Sequence, residues 1–162
     1  MAERENAALV QVVVLSLWLG AAAFFSFVVA PALFATLPSR TLAGLVVGRA
    51  LPVVFYLGMA AGAAIVVLQT TGGRSGLRDI RALCGCLMVA ACAVAQFIIG
   101  RRIDRLRGEI GGPIESLAVD DVRRIAFGRL HGASVAWLGL AMLAAGLALV
   151  IAWRANDPSS AR

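Results

Sequence analysis

Three side chains able to hold a soft metal recur at helical spacing: Cys84, Met88 and Cys92 fall at i, i+4 and i+8, and Gln96 continues the row. Thiolate and thioether sulfur select Cu(I). A step of four residues rises about 6 Å along a helix, so two members of the row cannot grip one ion from a single rigid helix. Another helix would have to contribute, through Met59, Met142 or His131. The alternative is that cysteine and methionine act as apolar fillers of a core. No disulfide is expected: Cys84 and Cys86 point different ways on a helix, and Cys92 lies two turns from Cys84.

His131 is the single histidine, with Arg129 two residues before it and Ser134 one turn after it. Polar groups at membrane depth face a bundle interior or water. Gln96, Arg129, His131 and Ser134 are therefore the candidate polar or ligand site. One histidine cannot supply both axial ligands of a bis-histidine haem, and no cofactor is expected. Gln11 and Gln69 are the other amides near apolar runs, where interhelical hydrogen bonds contribute about 0.6–2 kcal/mol. Catalytic patterns are missing: no P-loop, HExxH or GxSxG, and no paired acids in an apolar run. Asp120 and Asp121 beside Arg123 and Arg124 read as a charged, exposed helix end. These residues point to a non-enzymatic protein.

What must position them is a set of long apolar runs. Sixty per cent of the 162 residues are apolar and 15% charged, with a mean hydropathy of +0.88. A soluble domain averages about 45–50% apolar and about 25% charged. The charges are segregated: residues 6–39, 50–73, 82–100 and 130–153 carry none, and together make 101 of the 162 residues. A bilayer core takes about 20 residues of helix. A soluble enzyme, a disordered chain and a disulfide-stapled secreted domain are excluded. The fold class is an all-α membrane protein: one domain over 1–162, a bundle of four transmembrane helices. The spans are expected near 8–31, 51–70, 82–100 and 130–153, with a polar tail at 155–162. The first run is expected to stay as a helix rather than be cleaved as a leader, because the chain from Phe24 to Ala35 remains apolar.

Local signals refine this outline. Ala30-Pro31 should kink or end the first helix. Ser39 or Thr41 should cap a short interfacial helix over 42–49, with the second span starting at Leu51-Pro52, proline being welcome in a first turn. The third helix should extend past the membrane through Arg107, stopped by Gly108 and Gly111-Gly112-Pro113. The fourth should start before the membrane, capped by Ser116 or Asp120, and form a small antiparallel stalk with the tail of the third. GxxxG spacing at Gly44–Gly48, Gly58–Gly62 and Gly128–Gly132 suits close helix packing, within the bundle or in a homo-oligomer.

The net charge is +6, and all 15 basic residues are arginine. They cluster at the ends of the apolar runs, as anchors at the headgroups do, so nucleic acid is not an expected partner; the lipid bilayer is. Nine arginines lie in 36–50 and 101–129, and six on the opposite side. The positive-inside rule places the group of nine in the cytoplasm and both termini outside.

The order WLGAAAFFSFVVAPALFATLPSR (18–40), VVGRALPVVFYLG (46–58), RRIDRLR (101–107) and FGRLHGASV (127–135) resembles the transmembrane protein 205-like family, also catalogued as domain of unknown function 4149. The most specific parts are Ala30-Pro31-Ala32-Leu33-Phe34, Gly48-Arg49 with Pro52, and Leu130-His131-Gly132 with Ser134. The resemblance implies a four-helix membrane module and brings no biochemical activity with it. The chain departs from the family pattern at Arg101, where relatives often have proline, and at Leu138, where they often have asparagine. A looser similarity links it to copper-resistance membrane domains. The expected role is that of an integral, multi-pass protein of the plasma (inner) membrane acting through helix packing or partner contacts. The alternative is a small carrier or tolerance factor for a soft, copper-like metal ion or another small solute.

Overall fold

Four apolar runs, each about as long as a bilayer core is thick or longer, leave the backbone one solution, because every N–H and C=O in hydrocarbon must be paired within its own segment. The computed structural model describes residues 2–70 and 76–155, and among these all regular structure is helical. Four helices are long and apolar enough to cross a membrane: Ala7–Thr36, Arg40–Gln69, Asp79–Ile110 and Val122–Arg154. The protein is thus a multi-pass, all-α membrane bundle. Each span packs on its sequence neighbours, and the first closes the ring against the fourth; the second and fourth barely meet across the diagonal.

Each span has 30–33 residues. At 1.5 Å per residue that is about 45–50 Å of helix, against a hydrocarbon core of about 30 Å. Up-and-down connectivity puts the end of the first and third spans beside the start of the second and fourth. The surplus turns therefore collect at one end, built from 31–36, 40–50, 101–110 and 122–130.

Several expectations change at that end. Residues 42–49 are not a separate interfacial helix: one helix runs unbroken over Arg40–Thr70 with Pro52 inside it. Pro52 removes only the donor to the Gly48 carbonyl. Contacts on both sides of it, Arg107 against Gly44 and Gly48 and Phe55 in the core, carry the helix through. Ser39 is the cap, its Oγ accepting from the Leu42 N–H at 3.1 Å. Pro31 does not end the first helix. Five residues of π-helix, Phe25–Val29, absorb the disturbance and α-helix resumes over Ala30–Thr36.

The third helix starts at Gly76, earlier than Ala82, and continues through Gly108 to Ile110. Gly111 ends it in the left-handed region at φ 64°, its N–H donating to the Arg107 carbonyl at 3.1 Å. Asp121 caps the fourth helix rather than Ser116 or Asp120, its Oδ1 accepting from the Arg123 N–H at 2.8 Å. Residues 71–75, between the second and third helices, and the expected polar tail beyond Ala155 lie outside the described residues.

Alanine fills much of the core: Ala22, Ala91, Ala95, Ala141, Ala144, Ala145 and Ala148 are buried around Leu15, Ile65 and Met88. Small residues let helix backbones approach where no hydrophobic force drives them together. Gly62 and Gly85 take this to its limit, since a Cβ on either would stand 2.7–2.8 Å from the other's carbonyl oxygen. Polar ties add to it. Trp18 Nε1 donates to the Val54 carbonyl at 2.9 Å, and buried Gln11 Oε1 accepts from Gln69 Nε2 at 2.9 Å and Arg81 Nη1 at 3.2 Å. Large side chains such as Leu17, Phe27, Leu83 and Leu143 point outward to lipid.

Candidate functional site

Where the second and fourth spans diverge, the surplus turns enclose a cavity of about 740 Å³. Ligand pockets of proteins run from about 300 to 1,000 Å³. Along the helix axes its lining changes character. The membrane-side part is apolar, with Leu51, Phe55 and Ala95; Gln96, His131 and Ser134 follow; Arg40, Asp104, Arg107, Glu115 and Arg124 lie at the outer end.

The sequence-derived site is divided by this geometry. Gln96, His131 and Ser134 come together on the cavity wall. Arg129 is exposed and does not line it. Cys84, Met88 and Cys92 are elsewhere, inside the hydrophobic core. Cys92 Sγ and the Trp18 ring occupy the space beside Gly58, where a Cβ would meet them at 2.7–2.8 Å. Among the described residues no group of three His, Cys, Asp or Glu side chains could hold a metal ion.

Ser134 is 94% buried, yet its hydroxyl has no hydrogen-bond partner among the described residues. Gln96, half-buried, lines the same cavity and likewise has no hydrogen-bond partner among the described residues. It sits in a second stretch of π-helix, Val94–Gly100, of which Ala95, Gln96 and Gly100 all reach the cavity wall. π-Helical turns recur at functional sites because the extra residue re-aims side chains. His131 stacks parallel to Phe127, ring centroids 6.5 Å apart, and makes no hydrogen bond to Ser134.

The outer end holds residues that sequence reasoning did not single out. The Arg107 guanidinium lies along the groove made by Gly44 and Gly48. Its Nη2 donates to the Gly44 carbonyl at 3.2 Å, and a Cβ on Gly48 would stand 3.0 Å from Nη1. Its other side faces the Phe127 ring, 5.4 Å from the centroid. Arg124 donates from Nη1 to the Leu117 carbonyl at 2.8 Å. Neither arginine has a carboxylate within 4.0 Å among the described residues, where the ion pair formed is Arg123–Asp121.

Glu115, the nearest candidate counter-charge, is engaged elsewhere. It accepts from the Thr41 N–H at 3.2 Å and the Thr41 hydroxyl at 2.6 Å, tying the loop to the start of the second span. The Thr41 hydroxyl bond, with backbone help and the field of Arg40, holds its carboxyl below the usual glutamate range. A sequence signal existed for Arg107 in the pairing of an arginine-rich helix tail with Gly44–Gly48. The 63 residues between them hid it.

No curated protein and no solved structure matches the chain. The family model of the domain of unknown function DUF4149 matches residues 13–111, which include most of the first span, all of the second and third, and the Gly44, Gly48, Gln96 and Arg107 wall of the cavity. With about 60% of its length covered by that match, the chain belongs to the DUF4149 family.

Proposed function

We propose that this multi-pass membrane protein is non-enzymatic and acts by binding a small amphiphilic solute in the cavity between its second, third and fourth spans. The observation that carries the reading is the set Gln96, His131 and Ser134: three polar side chains from two spans that line one cavity and form no hydrogen bond with another described residue. Of the three, Ser134 is buried, Gln96 is half-buried and His131 is exposed; a buried polar group costs free energy until something pairs with it. The apolar inner wall and polar outer end match a ligand with a tail and a head. The transmembrane protein 205-like resemblance supports a four-helix module as the working unit. The arginine distribution supports a plasma-membrane setting with 101–129 in the cytoplasm. A soft-metal role draws less support, because Cys84, Met88 and Cys92 lie in the core rather than at the cavity.

Native mass spectrometry of the full chain, released from neutral detergent after incubation with membrane lipid extract, tests the reading. Wild type is expected to retain one amphiphile, and Ser134→Trp, which fills the cavity, is expected to retain none. Wild type that retains nothing, or retention that is indifferent to Ser134→Trp, overturns it.

A further inference from the structure

We infer that the cavity is an anion site in which Arg107 reads a phosphate group at the head of the ligand. The inference rests on the binding role proposed above and specifies the chemistry of the ligand. A half-buried guanidinium without a carboxylate partner carries a charge that the protein leaves uncompensated. Arg107 is such a group, and its position is fixed on three sides: the Gly44 carbonyl, the bare backbone at Gly48, and the face of Phe127.

The Gly48 backbone and the Phe127 ring flank the guanidinium, and among the described residues one of its five N–H donors is used, toward the Gly44 carbonyl. The remaining edge is the fork that meets a phosphate with two parallel hydrogen bonds. Arg124 lines the same cavity, anchored by the Leu117 carbonyl, and Arg40 stands at its rim beside Glu115. The carboxylates present are Asp104 and Glu115, the latter turned to Thr41. The Ser134 hydroxyl and Gln96 amide lie further in, placed for the polar linkage between head and tail.

A phosphate can come as a lipid headgroup or as the free ion, and the test separates them. The full chain in neutral detergent is offered equimolar phosphatidic acid and diacylglycerol of the same acyl composition, which lacks the phosphate, and retained lipid is read by native mass spectrometry. A parallel sample adds inorganic phosphate as competitor. Wild type is expected to retain phosphatidic acid at least about tenfold over diacylglycerol, the discrimination one charge-assisted bidentate contact provides.

Arg107→Gln should bring the ratio near parity, and Arg107→Lys should leave it intermediate, since lysine keeps the charge and loses the fork. Gly48→Leu should act like Arg107→Gln although no charge changes, because the side chain displaces the guanidinium from its groove; Gly48→Ala is the milder substitute should the leucine variant fail to fold. Arg105→Gln, which removes a charge two residues away without touching the cavity, should leave the ratio unchanged. Competition by inorganic phosphate identifies the free ion as a sufficient ligand. Its failure identifies the lipid headgroup, and either result upholds the anion site. Equal retention of both lipids by wild type, abolished by Ser134→Trp, overturns the phosphate inference while the cavity reading stands. A preference that survives in Arg107→Gln and Gly48→Leu overturns it as well. Retention of neither lipid removes both readings.

Discussion

Arg107 Nη2 donates to the carbonyl oxygen of Gly44 at 3.2 Å, across 63 residues of sequence. This bond changes the meaning of the Gly44–Gly48 pair. Spaced glycines in a membrane helix commonly admit a second helix. Here they admit a guanidinium, while Gly62 does admit a backbone, that of Gly85. Gly128 and Gly132, the third such pair, have open space around them.

The two kinds of contact predict opposite sensitivities. At Gly62 an alanine Cβ would stand 2.7 Å from the Gly85 carbonyl oxygen, and backbone cannot swing aside. Overpacking of this kind costs about 1–3 kcal/mol, of which the better helix propensity of alanine returns at most about 1. Gly62→Ala should lower the melting temperature in detergent. Gly48→Ala meets only the far end of a flexible side chain and should melt close to wild type. Equal losses in the two variants would contradict the assignment.

Gln11 joins three spans through one oxygen, accepting from Gln69 and Arg81. Gln11→Leu should destabilise the bundle by about 1–2 kcal/mol in a reversible unfolding titration, the upper part of the range for hydrogen bonds between membrane helices. Gln11→Glu keeps the acceptor and should retain more stability than the leucine variant.

Asp121 caps the fourth helix, and the Arg123 side chain, then its backbone N–H, pulls the carboxyl from the ordinary 3.8 to about 2. A carboxyl whose value falls on folding stabilises the fold above its unfolded value, and that contribution is lost as pH falls through the folded value. The cap should therefore hold at pH 4 and fail only toward pH 2. The Arg123 amide nitrogen resonance, followed from pH 6 to 2, should titrate with a midpoint near 2. In Asp121→Asn, which caps without titrating, it should stay flat over that range. A midpoint near 4 in the wild type would show that the cap is not formed.

The cysteines should separate by reactivity. Cys86 is exposed on the lipid side, whereas Cys84 and Cys92 are buried. A membrane-permeant maleimide should modify Cys86 alone in the folded protein and all three after denaturation, as read by intact mass. In the same preparation, Cu(I) uptake by the reduced protein should be unchanged in Cys84→Ser/Cys92→Ser. Tight uptake lost in that variant would restore the soft-metal reading.

Four spans, the all-α class and the arginine-flanked ends follow from the chain alone, because hydropathy along a sequence and the thickness of a bilayer are both one-dimensional quantities. Gly111 as a helix stop was legible for the same reason: a cap is decided by a few adjacent residues. The short helix expected at 42–49 was not, because Pro52 reads as a boundary until the partners of Gly44 and Gly48 are known. Of the polar candidates, Gln96, His131 and Ser134 were legible as unusual residues in apolar runs, but that they share a cavity, and that Arg129 does not, depends on the rotation of each helix about its axis. Tertiary packing alone decided that Cys84, Met88 and Cys92 face the core, and that Arg107 lies on Gly44. Spacing within a helix defines a face; what occupies that face is set by residues dozens of positions away, through contacts that no local pattern encodes.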